Sequence, residues 1–146
     1  MRRAIAIAFV VLAACVSAPA QAATPFVHFR SPSGAINCIG GSTPVFVDCL
    51  VRGASWAKPP AKPARCDLDW DAYELGLVSR TVSIGACRGD VGPRCFHDCT
   101  TLRYGKSLNI GPIRCRSAAN GITCRYVRGT LAGFRIARDG YIVWRR

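Results

Sequence analysis

The sequence predicts an all-β fold: a small single-domain antiparallel sheet of sandwich or barrel-like form, stapled by disulfides. Three observations carry this. Short runs of β-branched and aromatic residues alternate with turn residues along the chain. No stretch keeps the period of a helix. Eight cysteines follow a leader-like N-terminus, an even number, as a disulfide framework requires.

The leader reading rests on residues 1–22. Arg2 and Arg3 precede an apolar run of eleven residues, Ala4 to Ala14. A bilayer-spanning helix needs about 20, so the run fits a secretory signal instead. Pro19 breaks the segment, and Ala20-Gln21-Ala22 offers a small-x-small cleavage site before Ala23. Leu12-Ala13-Ala14-Cys15 is the competing site, a lipobox that would place a lipid anchor on Cys15. Ordinary cleavage is favoured, because a fourteen-residue signal is short and would leave the later cleavage signature without purpose. The expectation is an exported protein, periplasmic or extracellular, with residues 23–146 forming one domain and no transmembrane helix in the mature chain.

The β runs follow in order. Phe26–Phe29 precedes the turn signal Ser31-Pro32-Ser33-Gly34, and Ile36–Ile39 precedes Gly40-Gly41-Ser42-Thr43-Pro44. Val45–Val51 is the strongest strand candidate. Lys58–Pro63, with three prolines, must run extended, since proline fixes φ and lacks an N–H donor. Cys66–Asp71 alternates, with aspartates on one side and Leu68 and Trp70 on the other. A short helix over Asp71–Leu77 is the one helical alternative. Thr81–Cys87, Ile110–Cys115, Ile122–Arg128, Gly133–Ala137 and Tyr141–Trp144 complete the series. Asn120-Gly121 and Asp139-Gly140 are the clearest hairpin turns. Segments 29–38 and 115–124 share Arg, Ser, Ile and Cys at matching positions, as either a duplication or two hairpins reusing the same turn residues would; the second reading is favoured.

Those segments carry a resemblance. F-R-S-P-S-G-A-I-N-C (29–38), V-D-C (47–49), C-D-L-D-W (66–70), C-R-G-D (87–90), L-R-Y-G-K-S (102–107), C-R-S-A-A-N-G-I-T-C (115–124) and G-F-R-I (133–136) occur in that order. The ordered set resembles a family of small exported bacterial proteins catalogued only as a domain of unknown function. The resemblance implies secretion and one cysteine-bearing domain, and it assigns no activity. Two features depart from the pattern: Ala132 stands where a histidine often precedes Gly-Phe, and Cys95 and Cys99 are additional. No site residue is carried over.

Spacing suggests one pairing of the cysteines among many. Cys38 and Cys49 flank a Gly-Gly turn, and Cys115 and Cys124 flank Asn120-Gly121, so each pair can face across a hairpin. Cys66 then meets Cys87, and Cys95 meets Cys99. The competing arrangement joins Cys95 to Cys87.

Cys95-Phe-His-Asp-Cys99 also raises the question of zinc or copper held by two thiolates and His97. Metal binding needs reduced thiols, and an exported protein meets oxidising conditions, so a disulfide is favoured and no metal is expected. The run Asp67-x-Asp69-x-Asp71 with Glu74 hints at calcium. However, Ala72 stands where a calcium loop needs glycine and Val78 where it needs glutamate, so a solvated acidic strand face is expected. Gly105-Lys106-Ser107 lacks the leading glycine of a phosphate-binding loop, since Thr100 stands there. His28 and His97 are the only histidines, and no nucleophile elbow is present. The sequence therefore leans away from an enzyme, names no catalytic residue and implies no cofactor.

Charge is the remaining signal. After cleavage the chain carries 18 Lys and Arg against 8 Asp and Glu, and 15 of the 18 are arginine. From Thr100 onward ten bases face one acid, Asp139. Arg114, Arg116, Arg125, Arg128, Arg135 and Arg138 fall on adjacent predicted strands, interleaved with Tyr104, Tyr126, Tyr141 and Trp144; Arg145 and Arg146 follow. Guanidinium forks suit phosphate and carboxylate. The expected function is a noncatalytic binding module in the envelope or medium. Its partner would be an anionic envelope polymer or lipid headgroups, with nucleic acid bound at most nonspecifically. The alternative is a secreted effector or enzyme inhibitor that inserts the loop 88–100 into a protein partner. A metal-binding or hydrolytic role around His97 ranks last.

Overall fold

A computed structural model describes residues 26–90, 92–95, 99–129 and 131–145. The segment read from the sequence as a leader, with its alternative lipidation site at Cys15, lies outside the described residues, as do His97 and Arg146. The described chain is all-β and contains no helix. Strands β1 (Val27–Arg30), β2 (Ile36–Ser42), β3 (Val45–Val51), β4 (Asp69–Val78), β5 (Thr81–Arg88) and β6 (Thr100–Thr101) build one sheet, ordered β5-β4-β3-β2-β1-β6. Strands β7 (Ser107–Ile110), β8 (Ile113–Ala118), β9 (Gly121–Tyr126), β10 (Gly133–Ile136) and β11 (Tyr141–Trp144) build the second, ordered β11-β10-β9-β8-β7. All pairings are antiparallel except β1 with β6.

The two sheets share one core. Strand alternation sends Val47, Cys49 and Val51 of β3 inward, with Leu75 and Leu77 of β4 beside them. Ile113 and Cys115 of β8, Ile122 and Cys124 of β9 and Phe134 and Ile136 of β10 do the same from the other sheet. One row runs Phe29–Cys38–Cys49 across β1, β2 and β3, and another runs Cys115–Cys124–Phe134 across β8, β9 and β10. In each, a buried phenylalanine flanks a disulfide. The likeness of 29–38 to 115–124 thus has a physical form: both are hairpins whose first and last residues face each other.

The disulfides are Cys38–Cys49, Cys66–Cys87, Cys95–Cys99 and Cys115–Cys124. Two link residues directly opposite in adjacent strands, with Cα atoms 4.1 and 4.0 Å apart. Such facing positions are where antiparallel strands bring side chains closest. Four disulfides point to an oxidising compartment. No helix among the described residues is long and apolar enough to cross a membrane.

The connection from β3 to β4 is pinned by two tryptophans. Trp56 is buried, and its indole N–H donates to the Ala137 carbonyl at 2.8 Å. Its ring meets Tyr73 and Tyr141 at centroid distances of 5.2 and 4.7 Å, joining the two sheets. Trp70 donates to the Pro60 carbonyl at 2.9 Å and holds the proline segment, which forms no strand.

Three expectations are corrected. The Asp71–Leu77 segment is strand, not helix, and a register shift between Asp71 and Leu75 explains why its alternation is hidden in the sequence. The Ile110–Cys115 run is split by a turn at Gly111-Pro112, because proline cannot donate to the ladder. The third concerns Glu74. It does not join Asp67 and Asp69 on a solvated face, because the same shift turns it onto the β3–β4 surface that residue Gly92 covers, where it is 2% exposed.

Candidate functional site: an arginine face and its groove

The outer face of the five-stranded sheet is built by alternation. On β8, Ile113, Cys115 and Ser117 are buried while Arg114 and Arg116 are exposed. On β9, Cys124 and Tyr126 point inward and Arg125 outward. Register then aligns two outward rows. One runs Asn109–Arg114–Arg125–Gly133–Trp144, and the other runs Ser107–Arg116–Thr123–Arg135–Ile142. The face therefore has polar residues along β7, four arginines in the middle, and Ile142 and Trp144 along β11. It forms an open groove of about 730 Å³.

Gly133 sets the spacing of the first row. A Cβ there would overlap the Cys124 carbonyl oxygen and the Arg125 Cβ, so β9 and β10 approach closely only because residue 133 has no side chain. Backbone cannot yield as a flexible side-chain tip does. Gly133→Ala is expected to lower stability by about 1–3 kcal/mol, the usual cost of overpacking. Urea unfolding of the variant against wild type measures it.

The electrostatics are one-sided. Arg114 and Arg125 are direct cross-strand partners, an arrangement that like charges make unfavourable. Arg114 Nε donates to Asn109 Oδ1 at 3.1 Å, which orients it without neutralising it. Arg135 Nε is shielded from solvent and has no hydrogen-bond partner. Among the described residues both ion pairs belong to Arg88, so no carboxylate lies within ion-pair distance of the face.

A second groove, of about 720 Å³, opens at one end of this face. It shares Arg114 and Arg125 and adds Arg80, Tyr126, Val127, Arg128, Gly129 and Leu131. Arg80 comes from the other sheet, at the β4–β5 turn, and its guanidinium lies 5.8 Å from the Tyr126 ring centroid. Of the six arginines read from the sequence, the structure brings Arg114, Arg116, Arg125 and Arg135 onto one face and places Arg128 in the adjoining groove. Arg138 stands apart, on the turn after β10, where its Nε donates to the Gly53 carbonyl at 3.4 Å. Arg80 was not foreseen. It is distant in sequence, and only the packing of the sheets brings it near.

A third charged cluster lies on the opposite sheet. Arg88 pairs with Glu74, one contact being Nε to Oε2 at 2.8 Å, and reaches Asp48 Oδ2 at 3.7 Å. Burial holds both carboxyls above their ordinary range, more strongly than Arg88 lowers them. Gly92 packs against this cluster, so Arg88 and Glu74 fix the root of the 88–100 loop rather than line an open site. No group of three or more potential metal ligands occurs among the described residues.

Comparison with known proteins gives one relationship. The family of unknown function DUF6636 matches residues 6–144. No curated protein matches, and no solved structure matches.

Proposed function

The chain belongs to that family, and we propose from its own surface that it is a noncatalytic binding module whose arginine face takes an anionic polymer. We read residues 1–22 as its secretory leader and residues 23–146 as a single exported domain, which places the polymer in the cell envelope or medium. The four disulfides support export.

One observation carries the binding reading: four guanidiniums share an exposed sheet face, two of them directly opposed, with no carboxylate among the described residues to offset them. The free protein bears that repulsion, and a ligand with repeated negative charge relieves it. The spread of the arginines over two rows and three strands suits a chain of charges better than one small ion. Ile142 and Trp144 give the face an apolar border against which a sugar ring or other backbone can lie.

Titration with polygalacturonate and with long-chain polyphosphate tests this. Neutralising about four charges predicts a log–log salt slope of about −3, or roughly fifty-fold weaker binding between 50 and 200 mM salt. The triple variant R114E/R116E/R125E is expected to bind at least ~100-fold more weakly, while retaining its fold by circular dichroism. Affinity indifferent to both salt and these substitutions overturns the reading, as does wild-type protein that binds neither polymer.

A further inference from the structure

We propose that the groove between the sheets, lined by Arg80, Arg114, Arg125, Arg128, Tyr126 and Leu131, is a discrete site for a phosphomonoester borne by an amphiphile. The inference deepens the polyanion reading, because the groove adjoins the arginine face and shares two of its residues. It adds a concavity whose arginines converge from both sheets, where those of the face lie on one.

Three features point to this ligand. First, four guanidiniums line one concavity, and among the described residues none has a carboxylate partner. Each guanidinium presents a planar fork of donors that matches phosphate oxygens. A monoester, close to a dianion at neutral pH, uses that charge better than a singly charged diester or sulfate ester. Second, the groove has an apolar side. Leu131 is 62% exposed at its edge, and Tyr126 forms part of the wall. The ligand thus joins a phosphate to an apolar body. Its volume, about 720 Å³, lies in the range of small-ligand sites.

The third feature is backbone conformation. Ser79 and Arg80 form the two-residue turn between β4 and β5, with φ of 46° and 68°. Such turns normally take Asn-Gly, because a residue with a Cβ is disfavoured in the left-handed region. Arginine at position 80 costs free energy that glycine would avoid. Strain of this kind persists where the side chain is used, and here the side chain reaches across to Tyr126 and into the groove.

That strain gives a test in which loss of binding is separable from loss of fold. Arg80→Gly removes the guanidinium and relaxes the turn. Its melting temperature should equal or exceed that of wild type, while its affinity for octyl phosphate, titrated calorimetrically below micelle formation, falls at least ~10-fold. Arg128→Ala should behave alike in binding. Arg52→Ala should change octyl phosphate affinity less than ~3-fold, since exposed Arg52 lies outside both the groove and the arginine face. Wild type should prefer octyl phosphate to octyl sulfate by at least ~10-fold. Preference for octyl phosphate over glucose 1-phosphate assigns the lipid-like source; the reverse preference overturns the apolar half of the proposal. Wild-type affinity for octyl phosphate in both R80G and R128A overturns the site altogether. That outcome leaves the polymer reading standing, because the latter is decided separately, by whether wild type binds the two polymers and whether R114E/R116E/R125E and salt weaken that binding.

Discussion

Arg88→Met is expected to destabilise the domain by about 3–5 kcal/mol at pH 7.5, the range for stripping one partner from a buried ion pair. Glu74 is 2% exposed, and its main cationic contact is Arg88. Methionine fills much of the arginine's aliphatic volume, so the loss reports charge rather than packing. The variant also loses what ties the start of the 88–100 loop to β4. The penalty should shrink as pH falls. Asp48 and Glu74 already titrate above their ordinary values near pH 4, burial being the main cause. Where the folded carboxyl binds its proton more tightly than the unfolded one, stability is greatest below the unfolded pKa and is lost as pH rises through the folded pKa. Removing Arg88 raises both carboxyls further, so the variant suffers most at neutral and alkaline pH. Urea unfolding at pH 4.5 and 7.5 checks this. An R88M penalty that is equal at the two values contradicts the assignment of the cost to an unpaired carboxylate. Glu74→Gln should remove that residue's share of the pH dependence in the otherwise unaltered protein.

Reduction of all four disulfides is expected to unfold the protein at 25 °C. Each of the two hairpin bonds spans about ten residues, worth somewhat under 3 kcal/mol in the chain-entropy account, and Cys66–Cys87 closes a longer loop worth slightly more. Together they rival the net stability of a domain, about 5–15 kcal/mol. Burial adds to the effect: Cys38, Cys49, Cys115 and Cys124 stand in the two central rows of the core and are at most 1% exposed. The paired variant C115A/C124A should therefore lose more than the entropy figure, because it also leaves a gap beside Phe134. Cys95–Cys99 closes a short loop and is half-buried, so C95A/C99A should cost less than 2 kcal/mol or about that. Circular dichroism with and without reductant, and denaturant curves for the two double variants, give these values. A fully reduced protein that keeps its β spectrum and cooperative melting refutes the expectation.

Much of this architecture was legible in the residues. Val45–Val51 and Tyr141–Trp144 read as strands and have those bounds, because β-branched and aromatic runs between turn residues have few other uses. The hairpins around Asn120-Gly121 and Asp139-Gly140 were equally plain. What stayed hidden was whatever depended on irregularity or on the meeting of distant segments. The register shift after Asp71 concealed the strand period of β4 and sent Glu74 under Gly92, away from the acidic patch its neighbours suggest. Gly111-Pro112 broke an apolar run that looked continuous. At the candidate site, Arg114, Arg116, Arg125 and Arg135 could be placed on one face by counting alternate residues. Arg138 could not be excluded that way, because its separation follows from a turn and a hydrogen bond to Gly53. Arg80 had no local signal beyond its place in a tight turn.

The six-stranded sheet uses residues 27–101 and the five-stranded sheet residues 107–144, so the chain finishes one before beginning the next. No disulfide crosses that boundary. A nick in the exposed Arg103–Lys106 turn would leave two fragments, each internally cross-linked, whose reassembly rests on apolar complementarity and the Trp56 contact. The molecule is thus organised as two separately cross-linked halves around one core, and the phosphate groove, drawing arginines from both, exists only while they are mated.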